Sequence, residues 1–330
     1  MRRALAILVA LGACGDNIKG IELDELEGSR RAAECERLVR CGSFDDQASC
    51  VAFFRDDFDP ALAASVDVGK LRFDPLAAEA CNRALATRSC DATAADMRSD
   101  PPECRHVLRG TIVPGANCVA DRECTTGRCD APACTPDACC AGGCEAFAPP
   151  AAIDAMCTAD VGCVDGAFCG SDLKCHALAA VGAECEEDDH CAVGLACIGA
   201  TELQKGNCRA LPKIGEACPY LRCAEIGARC DGSICVAVGL TGDSCANANE
   251  CSSFLYCDAT SKCANIPGLG EACHGRCAGE AWCDFNGAPV GTCRSPQPNA
   301  APCTSDNQCV TQFCDEQPIF DACAQPALCI

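Results

Sequence analysis

The sequence predicts a small disulfide-rich fold: a helical, disulfide-stapled N-terminal domain followed by tandem four-cysteine, loop-rich modules with little regular secondary structure. Three observations predict it. Cysteine supplies 39 of the 330 residues, above the ~8–10% that marks disulfide scaffolds. Few aromatic side chains are available for cores, with Phe 11, Tyr 2 and Trp 1, so small units need covalent staples. After Gly110 the cysteines recur in groups with a period near thirty residues, the signature of a repeat array. The formal charge of −21 excludes nucleic acid as a partner and argues against electrostatic docking on anionic lipid.

Residues 1–13 read as a signal peptide. Met1-Arg2-Arg3 is a basic start, Ala4 to Leu11 is an apolar run too short to span a bilayer, and Leu11-Gly12-Ala13-Cys14 follows at once. That ending resembles the bacterial lipobox, in which the cysteine receives diacylglycerol and becomes the mature N-terminus. The resemblance implies lipidation at Cys14, with the membrane as a partner through the lipid. A plain secretory signal cut near Ala13 is the alternative. Removing Cys14 leaves an even number of cysteines, as an oxidising compartment would require. No later apolar run approaches 18 residues. Residues 14–29 read as an acidic tether.

Residues 30–110 carry helical patterning. Phe-Asp-Pro occurs at Phe58-Asp59-Pro60 and Phe73-Asp74-Pro75, where Asp suits an N-cap and Pro the first helical position. After Pro75, Leu76, Ala80 and Ala84, with Cys81 and Leu85, recur at helical spacing and predict one apolar face. Arg30 to Arg40 and Asp45 to Arg55 read the same way, and Gly42 ends the first of these. Cys35, Cys41, Cys50, Cys81, Cys90 and Cys104 allow three bridges in 15 connectivities, among which sequence does not choose. A four- or five-helix bundle is expected.

Residues 111–330 divide into about seven modules, starting near 115, 154, 182, 215, 242, 270 and 300. Two have five residues in every gap: Cys157, Cys163, Cys169, Cys175 and Cys245, Cys251, Cys257, Cys263. Four others deform that template: Cys185, Cys191, Cys197, Cys208; Cys218, Cys223, Cys230, Cys235; Cys273, Cys277, Cys283, Cys293; and Cys303, Cys309, Cys314, Cys323. Gly precedes the first cysteine by three residues at Gly115, Gly182, Gly215, Gly242 and Gly270, but not before Cys157 or Cys303. An aromatic before the third cysteine, as at Phe168, Tyr256, Trp282 and Phe313, reads as a mini-core residue. Asp after it, as at Asp130, Asp231, Asp258, Asp284 and Asp315, reads as an Asx-turn. The first region, Cys118 to Cys144, holds seven cysteines, and the last, Cys303 to Cys329, holds five. A cross-link through Cys329 would balance both, and local alternatives include adjacent Cys139-Cys140.

The spacing Gly-x-x-Cys, five residues, Cys, five residues, aromatic-Cys resembles the Dickkopf N-terminal cysteine-rich module. It recurs in tandem in secreted lipoproteins of myxobacteria-like Gram-negative bacteria. Over roughly residues 115 to 330, the resemblance implies a disulfide-rich extracellular interaction module. EGF-like modules compete as a description, but usually carry six cysteines per unit.

Chemistry-bearing clusters are few. No Cys-x-x-Cys pair occurs, which argues against structural zinc and thioredoxin-like redox chemistry. Histidines number four, His106, His176, His190 and His274, with no Gly-x-Ser-x-Gly beside them. Glu184, Glu186, Glu187, Asp188 and Asp189 bunch in one loop of hard oxygen ligands suited to calcium, although no EF-hand loop is present. Repeats that contact only their neighbours present long binding surfaces. The expectation is therefore an exported, non-enzymatic binding, adhesive or structural protein, lipid-anchored at the outer membrane or cell surface. It needs no cofactor, and its partner is an unidentified protein or glycan. A calcium-dependent interaction protein and an envelope enzyme are the alternatives.

Overall fold

The structure is a computed structural model that describes residues 20–54, 60–91, 100–130, 141–146, 149–158, 161–201, 204–309, 314–315 and 322–323. Cys14, Cys134, Cys139, Cys140, Cys329 and Phe313 lie outside the described residues, as does the expected cross-link between the first and last modules.

Among the described residues the helical region forms a hub of four α-helices: α1 (Leu26–Arg40), α2 (Gln47–Phe53), α3 (Pro60–Asp67) and α4 (Pro75–Thr87). Two short strands, β1 (Leu71–Phe73) and β2 (Leu108–Gly110), pair antiparallel. Asp74 caps α4 as expected, accepting the Leu76 and Ala77 N–H groups at 3.1 Å each, and Asp46 caps α2 by accepting from Ser49 at 2.8 Å. Gly42, at φ +73°, ends α1 in a Schellman motif: its N–H donates to Val39 and that of Ser43 to Leu38. Arg37 and Arg40 of α1 reach the carbonyls beyond the C-terminal end of α4, at Ser89 and Arg88, where a cation also suits the helix dipole.

The core joins Leu26, Leu62, Leu71, Ala78, Cys81, Leu85 and Val107. Each large aliphatic buried there contributes about 1.5–3 kcal/mol. Two expectations are corrected. The tether does not extend to residue 29, because Leu26 is buried and Ile21 and Leu23 pack on the same core. The buried face of α4 is Ala78, Cys81 and Leu85, whereas Leu76 in the first turn is 57% exposed. Disulfides Cys35–Cys50, Cys41–Cys90 and Cys81–Cys104 staple the hub.

Seven modules follow, and every one uses the same crossed pairing. First cysteine joins third, and second joins fourth, with Cys144, the seventh cysteine of module 1, standing in the fourth place there: Cys118–Cys129 with Cys124–Cys144, Cys157–Cys169 with Cys163–Cys175, and Cys185–Cys197 with Cys191–Cys208. The same order holds for Cys218–Cys230 with Cys223–Cys235, Cys245–Cys257 with Cys251–Cys263, Cys273–Cys283 with Cys277–Cys293, and Cys303–Cys314 with Cys309–Cys323. Third and fourth cysteines sit directly opposite each other on a short antiparallel ladder in all seven. The modules thus carry more regular structure than expected, in sheets of two or three strands. The sulfurs are the module core, with Cys157, Cys175, Cys191, Cys208, Cys235 and Cys273 fully buried. Each bridge contributes roughly 2–4 kcal/mol.

The Gly-x-x-Cys start has a backbone cause. The residue three before the first cysteine donates its N–H to the carbonyl of the fourth: Gly115 to Cys144, Gly182 to Cys208, Gly215 to Cys235, Gly242 to Cys263 and Gly270 to Cys293, at 2.7–2.8 Å. All five glycines have φ between +83° and +90°. The two modules without glycine place Asp154 (φ +68°) and Ala300 (φ +67°) there, donating to Cys175 and Cys323. The N–H of the fourth cysteine returns a bond to the next residue's carbonyl, as from Cys208 to Ala183 at 2.9 Å. Each unit in fact opens three residues earlier than expected. Ile112, Ala151, Ala179, Gly239 and Gln297, six before the first cysteine, bridge in parallel to the second. Pro212 and Pro267 take that place in modules 4 and 6, where the carbonyl alone is used, accepting from Ala224 and Ala278 at 2.9 Å.

The array does not contact only its neighbours, because modules 1, 4, 5 and 6 return to the hub. In module 1, buried Glu123 accepts from the Ser65 hydroxyl at 3.3 Å and faces Lys70 Nζ at 3.4 Å. In module 4, the Ile226 N–H donates to Cys90 at 3.1 Å, and Gly227 passes so close that a Cβ would collide with the Cys41 carbonyl. In module 5, the Ser252 hydroxyl donates to the Ser43 carbonyl at 2.6 Å and the Thr241 N–H to Asp45 at 3.2 Å. In module 6, the Gly279 N–H donates to Phe53 at 3.2 Å.

Two substitutions test this account. Ala300→Gly is expected to stabilise module 7 by about 1 kcal/mol, read as slower hydrogen exchange at Ala300 and Cys323. Gly227→Ala is expected to lift module 4 off the hub, so that the Ile226 amide loses protection while the Cys218–Cys230 and Cys223–Cys235 bridges persist.

Candidate binding clefts

Clefts among the described residues sit where units meet. The first lies between the hub and modules 5 and 6. Three of a cluster of four phenylalanines line it: Phe254 of module 5 stacks on Phe44 with centroids 4.5 Å apart and packs edge-on to Phe53 and, behind the wall, to Phe54, at 5.1 and 5.9 Å. Such pairs contribute about 0.5–1.5 kcal/mol each beyond burial. The cleft has a volume of about 340 Å³ and combines Phe44, Phe53 and Phe254 with the polar rim residues Ser49, Asn265 and Glu271. That volume and that mixture suit a small ligand or an inserted side chain. A smaller apolar recess of about 120 Å³ between modules 5 and 6 is lined by Leu255, Tyr256, His274 and Arg276.

The second cleft, about 300 Å³, lies at the joint of modules 2 and 3 and holds Phe168, Asp172, His176, Glu184, Glu186, His190 and Lys205. His176 Nε2 lies 2.8 Å from Asp172, and that hydrogen bond holds the Asp172 carboxyl below the usual carboxylate range. Ser171 also lines the cleft but bonds to neither imidazole among the described residues. The His190 ring stacks on Phe168 at 3.9 Å.

Phe168 therefore reaches the next module as well as His176 of its own, 5.6 Å away, and Tyr256 lines the recess it shares with His274 and Arg276 of module 6. Both rings are only partly buried, while the buried core of each module is mainly its disulfide cysteines, so the mini-core role falls to sulfur. Trp282 donates its Nε1–H to Ser295 at 3.3 Å, in the segment leading to module 7. Asp231, Asp258 and Asp284 make the expected Asx-turns, accepting from backbone N–H groups two to four residues on. The Thr260 hydroxyl and backbone N–H bonds hold Asp258 below its ordinary range.

The acidic run splits among separate partners. Asp188 accepts from the Cys197 N–H at 2.8 Å and pairs with Arg222 of module 4 at 2.7 and 3.1 Å, while Glu186 pairs with Lys205 at 3.3 Å. Glu184, Glu187 and Asp189 are exposed. The turn helix before the second cysteine explains Asp188: Asp121 and Asp306 accept from Cys129 and Cys314 in the same way, at 2.7 and 2.8 Å. Sulfurs of neighbouring bridges crowd within 4.8 Å, as at Cys185, Cys191 and Cys197, but a disulfide sulfur offers no thiolate to zinc. His106 is exposed on the turn Pro102–His106.

Phe254→Ala is expected to weaken docking of module 5 on the hub by about 3 kcal/mol. The readout is faster exchange at Thr241 and faster proteolysis between modules 4 and 5, with all described disulfides retained.

No family model matches this chain, and neither a curated protein nor a solved structure matches it.

Proposed function

We propose that this protein is an exported envelope protein, held at the outer membrane or cell surface by lipid on Cys14, and that it acts without catalysis as a binding, adhesive or structural element. The observation that carries the reading is the closure of all 34 described cysteines into 17 disulfides. Such a framework persists in oxidising compartments and is rare where thiols are kept reduced. The Dickkopf-like spacing supports the same reading, since it marks extracellular interaction modules. Most acidic side chains named above serve turns or ion pairs, which accounts for the charge without a catalytic task. The phenylalanine-walled cleft at the hub supports a protein or glycan partner, because its apolar floor and polar rim match side chains or sugars of that kind. Residues 118–330 hold 11 Lys/Arg against 28 Asp/Glu, so a basic patch on that partner would be favoured.

A lipid on Cys14 would stabilise membrane attachment by roughly 0.8 kcal/mol per buried methylene, with no spanning helix needed. Among the described residues no helix is long and apolar enough to cross a membrane. The test is the intact mass of the protein from its native membrane. A lipid adduct is expected, with 38 thiols appearing only on reduction, and Cys14→Ser is expected to release the protein from the membrane fraction. An unlipidated species, or many thiols free before reduction, would overturn the reading.

A further inference from the structure

One structural position is shared by four modules and filled differently in one of them. The backbone N–H just after the first cysteine is taken by the side chain just before the second. Glu123 accepts from Val119 at 2.9 Å, Glu250 from Ala246 at 2.9 Å, and Gln308 from Thr304 at 2.8 Å. In module 3 the acceptor is His190, whose Nδ1 takes the Glu186 N–H at 3.3 Å. A carboxylate or amide accepts throughout the neutral and mildly acidic range, whereas an imidazole nitrogen accepts only while unprotonated.

We propose that His190 makes the joint between modules 2 and 3 acid-sensitive. Its side chain is 12% exposed and its ring lies at 16° to Phe168 with centroids 3.9 Å apart, so one side chain serves both the module 3 turn and the contact with module 2. Protonation turns Nδ1 into a donor facing the Glu186 N–H. The turn bond is then lost, and the ring leaves the position from which it stacks on Phe168. The bonded form is the neutral one, so this contact is present at neutral pH and lost as pH falls.

Charged groups of both modules face the ring. From module 3, Glu184, Glu186 and Asp189 face the ring against Lys205, with Asp189 Oδ1 3.9 Å from Nε2. From module 2, Asp172 and His176 face it as a bonded pair. Asp188 is held by Arg222. An imidazole N–H can donate to the Asp172 carboxylate in either charge state, so the His176 contact does not share the dependence of His190 on an accepting nitrogen. Module 3 stays attached to module 4 through Asp188 and Arg222, and the opening is confined to the Phe168 side.

The test is hydrogen exchange on the full chain at pH 7.5 and 5.5, corrected for the intrinsic pH dependence of exchange. In the wild type, fragments covering Glu186–His190 and Phe168 are expected to exchange about tenfold faster at pH 5.5 than at pH 7.5, as the imidazole passes from acceptor to donor. The Ala246–Glu250 fragment of module 5 is expected to stay unchanged. His190→Gln installs the acceptor of module 7 and is expected to abolish the pH effect while keeping protection. His190→Glu, the acceptor of modules 1 and 5, answers the same question if the glutamine variant misfolds. A wild type indifferent to pH, an equal response in module 5, or an effect that survives both substitutions would overturn the proposal.

Discussion

Two disulfides crossed over a short antiparallel ladder are the constraint on which each module depends. About thirty residues cannot bury enough apolar surface to offset the conformational entropy of ordering them. The crossed bridges remove that difficulty by limiting the unfolded chain and by supplying the buried volume themselves. Once third and fourth cysteines face each other on the ladder, first and second must come to the same place. The segment before the first cysteine is then drawn in, and the hydrogen bonds of the left-handed residue close it against the fourth.

With sulfur as the core, polar side chains are free to set the turns. Asp121, Asp188 and Asp306 satisfy the N–H of the third cysteine, and Asp231, Asp258 and Asp284 satisfy the hairpin that follows it. Much of the negative charge is therefore structural, since unpaired backbone donors in so small a unit would be costly. Glu123 serves twice, closing its own module's turn and anchoring that module to Ser65 and Lys70 of the hub.

What sequence could reveal follows from the range of each interaction. The cap at Asp74 and the stop at Gly42 are local and legible residue by residue, whereas Asp46, which caps α2, falls inside the span Asp45 to Arg55 that reads as helical. The four-cysteine modules were legible because their period is covalent chemistry. Pairing order was not, since spacing alone leaves several connectivities open and only the ladder register selects one. Strands β1 and β2 are too short to produce an alternating pattern. Phe168 and Phe254 give no local sign of their roles because the rings they stack on lie in another unit. The role of His190 was visible in principle: it occupies the place of Glu123, Glu250 and Gln308, once the second cysteines are aligned.

The return of the array to the hub governs the order in which the protein is completed. Module bridges close loops of 10 to 20 residues, while Ser43 meets its partner Ser252 across 209 residues of chain. Local closures precede distant ones, because the entropy of bringing ends together rises with the length of chain between them. The modules can each reach their final form in turn, before the distant contacts close. The Phe44, Phe53 and Phe54 surface of the hub meanwhile stays uncovered until module 5 has emerged and folded. The last step of maturation is thus the docking of finished parts, and the hub surface is the one most in need of a chaperone before then.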